Sequence, residues 1–223
     1  MSRKIDVLNV HIDNCSAKEA MQEAVSYMDS EPVNMIEMVT SGSVMQMDFS
    51  FDVKENFSDF DLVLAGEKTL LEAAGVTDGQ YFKEAEEHTF LKMFLRYLHK
   101  HHKRVYLLAQ TEEGAREFCD YLGKKYSGIH ISGIAKVSAE NRADDMVVNA
   151  INGSEVDCIL SALPSPLQEE FILKNRCLLN ARIWLGIGIE IHPAMKPRLG
   201  DGLIFRFILK KMLCKEIEKR KKE

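Results

Sequence analysis

The chain has 223 residues, 46% hydrophobic and 28% charged, which suits one large globular domain or two small ones and excludes a disordered polymer. A formal net charge of −5 argues against a protein built to coat nucleic acid, so no nucleic-acid partner is expected. No run of roughly 20 apolar residues is present to span a bilayer. The first 13 residues meet Asp6 before any long apolar stretch, so no secretory leader is expected. The five cysteines, Cys15, Cys119, Cys158, Cys177 and Cys214, are odd in number and form no C-x-x-C pair, which fits a reducing cytoplasm.

In chain order, residues 5–12 predict a first strand. Ser16-Ala17-Lys18-Glu19 has the form of a capping box, in which hydroxyl and carboxylate each satisfy an orphan N–H. Ala20, Met21, Ala24, Val25 and Met28 then recur at helical spacing until Pro32. Residues 35–40 predict a strand, and the polar turn Thr40-Ser41-Gly42-Ser43 leads into a helix over 44–49. Asp61-Leu62-Val63-Leu64-Ala65 predicts a third strand, with Gly66 at its end. Leu70, Leu71 and Ala74 mark a short helix stopping at Gly75, and residues 76–81 read as a loop. Phe90, Leu91, Phe94, Leu95 and Leu98 form the apolar stripe of a helix that ends in a basic run over 99–104. Residues 105–109 predict a strand. Thr111 caps a helix that buries Ala115, Phe118, Cys119 and Leu122 and closes at Gly123. A strand over 129–135 and a helix over 139–151 follow.

Residues 157–163 are a short, mainly apolar run, as expected of a strand buried on both faces. The turn Pro164-Ser165-Pro166 then opens a helix on Leu167-Gln168-Glu169-Glu170, and residues 181–188 predict the last strand. Strands alternating with helices over short connections demand crossovers of one hand. The fold class is therefore α/β, a Rossmann-like, mostly parallel sheet with helices on both faces. This domain spans residues 1–195. Residues 196–223 form a basic amphipathic C-terminal helical appendage, apolar early and rich in Lys and Arg late.

Ligands of open α/β sheets bind beyond the carboxyl ends of the strands, and the turn before Gln168 sits there. Gln168 can donate and accept together, and Glu169 can accept from two hydroxyls, so the pair could read a uracil edge, a ribose or a sugar. Equally, a carboxylate in a first helical turn needs no function, because it faces the positive helix end. Thr40 is either a contact to a substrate hydroxyl or a helix cap. Asp59-Phe60-Asp61 spells D-x-D but precedes its strand, at the wrong end of the sheet for a metal–diphosphate site. His99, His101 and His102 lie amid Lys and Arg at a helix end with no carboxylate or cysteine arrangement, so no metal site is expected.

In order and spacing the segments resemble those of the WecG/TagA/CpsF family of bacterial glycosyltransferases, over roughly residues 5–209. Residues 8–13 resemble the family's opening G-V-x-I-D segment, with Asn9 in place of Gly. Val39-Thr40 resembles the start of T-x-N, residues 61–65 the approach to D-G, and residues 105–108 the L-L-G-G strand. Residues 157–169 resemble D-x-x-x-V-G-x-G-x-P-K-Q-E, and residues 185–188, ending at Gly188, the last strand. The resemblance implies transfer of an amino sugar from a UDP-sugar donor to a lipid-linked acceptor in cell-surface polysaccharide synthesis, without a metal or other cofactor. It also implies Gln168, Glu169, Gly188 and Asp13 as substrate or nucleotide contacts, Asp13 having a structural reading as well.

Departures stand beside these matches. Gly66 occupies the position of the family's catalytic Asp, Gly42 that of the Asn in T-x-N, and Leu167 that of the Lys before Gln168. The adjacent Glu67 is the candidate replacement base, with Thr40 beside it. The C-terminal R-A-P and G-L-E-W elements persist only as Lys196-Pro197-Arg198 and Gly202-Leu203-Ile204-Phe205. Arg198, Arg206, Lys210 and Lys211 are the candidate phosphate or membrane contacts. The tail reads as a solvated helix end, as a homo-oligomer contact, or as a segment lying on the anionic inner face of the plasma membrane. Two functions follow: an active UDP-sugar-dependent transferase, or a catalytically impaired homologue that binds a nucleotide-sugar or partner as a regulatory or assembly subunit.

Overall fold

The computed structural model describes residues 3–47, 50–140 and 143–191, together with 211–213, 215–217 and 219. The predicted first strand is instead a hairpin, β1 (Arg3–Val7) paired antiparallel with β2 (Val10–Asn14). Leu8 and Asn9 turn it, both at positive φ (56° and 68°). That is the backbone of a two-residue turn whose twist matches the strands. Asn tolerates this conformation; Leu does not advertise it, so the apolar run looked continuous.

Six further strands form one parallel sheet in the order β4-β3-β8-β7-β5-β6. They are β3 (Asn34–Val39), β4 (Leu62–Ala65), β5 (Arg104–Ala109), β6 (His130–Lys136), β7 (Cys158–Ala162) and β8 (Ile183–Gly186). The first face is covered by α2 (Ser41–Met47), α3 (Phe51–Asn56), α8 (Asp144–Gly153) and α9 (Leu167–Asn175). Their Val44, Met47, Val53, Ile151 and Phe171 pack on Met35, Val39, Val63, Leu108, Ile159 and Trp184. The second face carries α1 (Ala17–Tyr27), α6 (Thr89–Lys100) and α7 (Glu112–Lys125), whose Ala24, Leu91, Phe94 and Phe118 pack on Ile36, Leu64, Leu107, Leu160 and Leu185. The β3–β4, β6–β7 and β7–β8 connections run one way across the sheet and place their helices on the first face. The β4–β5 and β5–β6 connections run the other way and use the second, as a single crossover hand requires.

Ser16 and Glu19 form the expected capping box on α1. Between β4 and α6 lie α4 (Lys68–Ala73) and α5 (Gly79–Glu86). The second begins inside the predicted loop. Asp78 caps it, accepting from Gln80 N at 2.7 Å. The helix expected over 139–151 begins only at Asp144, and α7 runs through Gly123 to Lys125. A four-residue helix, α10 (Gly188–Ile191), follows β8. In the tail, Leu213 is fully buried in the first-face core with Ile217 packed beside it, while Lys211 and Met212 are exposed. No described helix is long and apolar enough to cross a membrane.

Candidate active site

The strands β3 and β4 are neighbours whose outgoing loops leave for opposite faces, which opens a crevice at their carboxyl ends. Thr40 caps α2: its Oγ1 accepts from Ser43 N at 3.1 Å, and Thr40 N donates to Ser43 Oγ at 2.8 Å. Gly66 N donates to Val39 O at 2.7 Å, holding the second loop against the first. Glu67 precedes α4 but does not cap it. Its half-buried side chain reaches across the crevice instead, where Oε1 accepts from Ser41 N at 2.6 Å. A carboxylate and Thr40 therefore meet at one edge, brought there by two crossover units.

Beside them lies a small recess of about 50 Å³, walled by Thr40, Ser43, Gln46, Pro164, Ser165, Gln168 and Gly188 over an apolar base of Met38, Ile187 and Ile189. Gln168 and Gly188 thus join Thr40. Gln168, however, is 1% exposed. Its Nε2 donates to Glu37 Oε1, and its Oε1 accepts from Gly188 N at 3.2 Å. Glu169 is fully buried and accepts from Ser165 Oγ at 2.6 Å. Gln168 thus lines the recess with its amide committed to Glu37 and Gly188, while Glu169 lies behind the wall and Ser165 lines it.

Glu37 was not singled out by the sequence pattern. It sits in the middle of β3, 1% exposed, where parallel strands are normally apolar throughout. The signal was there to read: one acidic residue inside Met35-Ile36-Glu37-Met38-Val39. Burial foremost, and then the Glu169 carboxylate, hold its carboxyl well above the usual range. Hydrogen bonding from Gln168 opposes them. Gly186 makes the space, since a methyl group there would stand 2.5 Å from Glu37 Cδ.

Asp13 lies elsewhere. Its Oδ2 accepts from Val63 N at 3.0 Å, tying the hairpin to the border strand β4. It lines a separate recess of about 40 Å³ with Cys15, Tyr81, Glu84 and His88 on the second face. Asp59 and Asp61 occupy the opposite end of the sheet, Asp59 paired with Arg176 and Asp61 accepting from Met35 N at 2.7 Å. His99 Nδ1 accepts from Gly128 N at 2.7 Å. Among the described residues no three His, Cys, Asp or Glu side chains converge as a metal-binding group. Arg198, Arg206 and Lys210 lie outside the described residues, and Lys211 is exposed.

A doubly wound parallel sheet with a carboxylate and hydroxyl groups gathered at one carboxyl-end crevice defines a Rossmann-like α/β protein with a crevice where such sheets bind their ligands. The family model described as "Glycosyl transferase WecG/TagA/CpsF family" matches residues 5–192, and the chain belongs to that family of glycosyltransferases. The match ends at residue 192, short of residue 209, so residues 196–205 fall outside it. No curated protein sequence matches the chain.

Proposed function

We propose that the chain transfers an amino sugar from a UDP-linked donor to a lipid-linked acceptor in cell-surface polysaccharide synthesis, with Glu67 as the base. The observation carrying this reading is the anchored Glu67 carboxylate in the β3–β4 crevice, beside Thr40. One oxygen is fixed by Ser41 N, and the other has no protein partner among the described residues. A carboxylate so held can take the proton of an acceptor hydroxyl as that oxygen attacks the anomeric carbon, while UDP leaves with the bonding electron pair. Thr40, Ser165, Gln168 and Gly188 supply the walls against which the donor would rest. Arg198 and Arg206 are the side chains proposed to meet the diphosphate, and the basic tail the segment that rests on the inner membrane face. Removal of residues 202–223 should then abolish co-sedimentation with anionic vesicles; undiminished binding would remove the tail from the proposal.

A second reading has its own observation. The amide of Gln168 is turned inward to Glu37 and Gly188 N, and the resemblance sets Gly66 at the position of the family's catalytic Asp. An impaired homologue that binds a nucleotide-sugar as an assembly subunit would have these features. The deciding experiment compares UDP-sugar transfer and hydrolysis in the wild type and Glu67→Gln, with thermal stabilisation by UDP measured on both. The first reading expects turnover to fall by about 10²–10⁴-fold in Glu67→Gln, with UDP stabilisation retained. Absent turnover in the wild type with UDP stabilisation establishes the second, and absent stabilisation overturns both.

A further inference from the structure

Glu37 has no part in the chemistry proposed above, yet a carboxyl group inside a sheet is costly unless its partners are built around it. Its Oε1 has such a partner, while the buried Oε2 has no hydrogen bond among the described residues. Glu37 pairs in register with Val63 on one side and Gly186 on the other, and Gly186 pairs with Ser161. This row passes under the first turn of α9. The missing side chain at Gly186 leaves the gap that the Glu37 carboxyl fills. Above it, Gln168 Nε2 donates to Glu37 Oε1 while Gln168 Oε1 receives Gly188 N. An acceptor on one side and a donor on the other fix the amide's orientation, because a flip would set like against like at both ends. Gly188, at φ 68°, is the recess wall nearest this chain of bonds. The titratable group acting on Glu37 from the elements packed around it is Glu169, on α9.

We infer that Glu37 is a positioning residue for the recess: acting through Gln168, it sets the Gly188 amide and the adjoining turn of α9 in the arrangement that receives the nucleotide. The inference rests on the nucleotide-sugar reading for its ligand, but its geometry can be tested without one. An apolar residue at position 37 would fill the volume and leave Gln168 Nε2 without an acceptor. Glutamine would keep an acceptor oxygen there.

The test uses the full chain as wild type, Glu37→Gln and Glu37→Leu, with Glu37→Met in place of Leu if that variant does not fold. Two quantities are read on variants that melt cooperatively: UDP affinity by calorimetry, and hydrogen exchange at the Gly188 amide. Glu37→Leu should weaken UDP at least about tenfold and expose the Gly188 amide to faster exchange, while Glu37→Gln stays within about threefold of wild type on both. If Glu37→Leu keeps wild-type affinity and protection, or if Glu37→Gln loses as much as Leu does, the inference is overturned. Should wild type itself fail to bind UDP, the nucleotide-sugar reading falls. The Gly188 exchange comparison then decides the positioning role alone.

Discussion

Gly186→Ala is the sharpest test of the buried row. The added methyl would stand 2.5 Å from Glu37 Cδ, against about 3.5–4 Å for ordinary carbon contacts. The carboxyl must therefore retreat by about 1 Å inside a close-packed sheet face and leave its bond from Gln168 Nε2. Overpacking of this kind costs about 1–3 kcal/mol. A buried donor left unpaired adds about 1–3 kcal/mol. The sum, about 2–6 kcal/mol, corresponds to a Tm lower by roughly 5–20 °C for a domain of this size. Denaturant unfolding of wild type, Gly186→Ala, Glu37→Ala and the double variant completes the cycle. Because Glu37→Ala removes the group the methyl strikes, the double variant should be more stable than the two single losses predict by at least about 1 kcal/mol. Wild-type stability of Gly186→Ala, or strictly additive losses, would refute the proposed packing.

Glu37 also makes a pH prediction. Its folded-state proton affinity is raised above its ordinary value of 4.5, so the native state binds a proton that the unfolded chain releases. Wild type should lose stability relative to Glu37→Gln as pH rises from about 4.5, by at most about 1.4 kcal/mol per pH unit, levelling once the folded value is passed. A urea-midpoint difference that stays flat across this window contradicts the assignment. Asp13→Ala should cost about 1–3 kcal/mol by stranding Val63 N, and should speed proteolysis of the hairpin. Equal protease resistance would count against that tie. Leu213→Ala should cost about 2–5 kcal/mol in a thermal or denaturant melt, since Leu213 is fully buried in the first-face core; a neutral result would mean that this packing does not hold in solution.

The architecture was legible wherever one period dominated. Residues 105–109, and 158–163 apart from Ser161, are apolar because both faces of their strands are covered, and the stripe from Phe90 to Leu98 could only be a helix. Failures came where a backbone choice is not written in hydrophobicity. Leu8 at positive φ hides a turn inside an apolar run, and the polar α5 lacks a strong stripe although Asp78 signals its start. At the site, Thr40, Glu67, Gln168 and Gly188 could be placed at the sheet's carboxyl edge because each follows a strand. Their division of labour could not be read. Whether Gln168 faces a ligand or Glu37 depends on which side of α9 is packed, and that is decided by Gly186, some twenty residues away in sequence.

The hairpin has a consequence for self-association. A carboxylate standing on the outermost strand at one border of the sheet removes a backbone donor that a foreign strand would need. At the far border β6 ends the sheet with His130 and Lys136 exposed and no further strand beside it among the described residues. Lateral growth by strand addition thus has one open side. Two copies joining at the β6 border would satisfy each other there, so association through that edge closes as a pair.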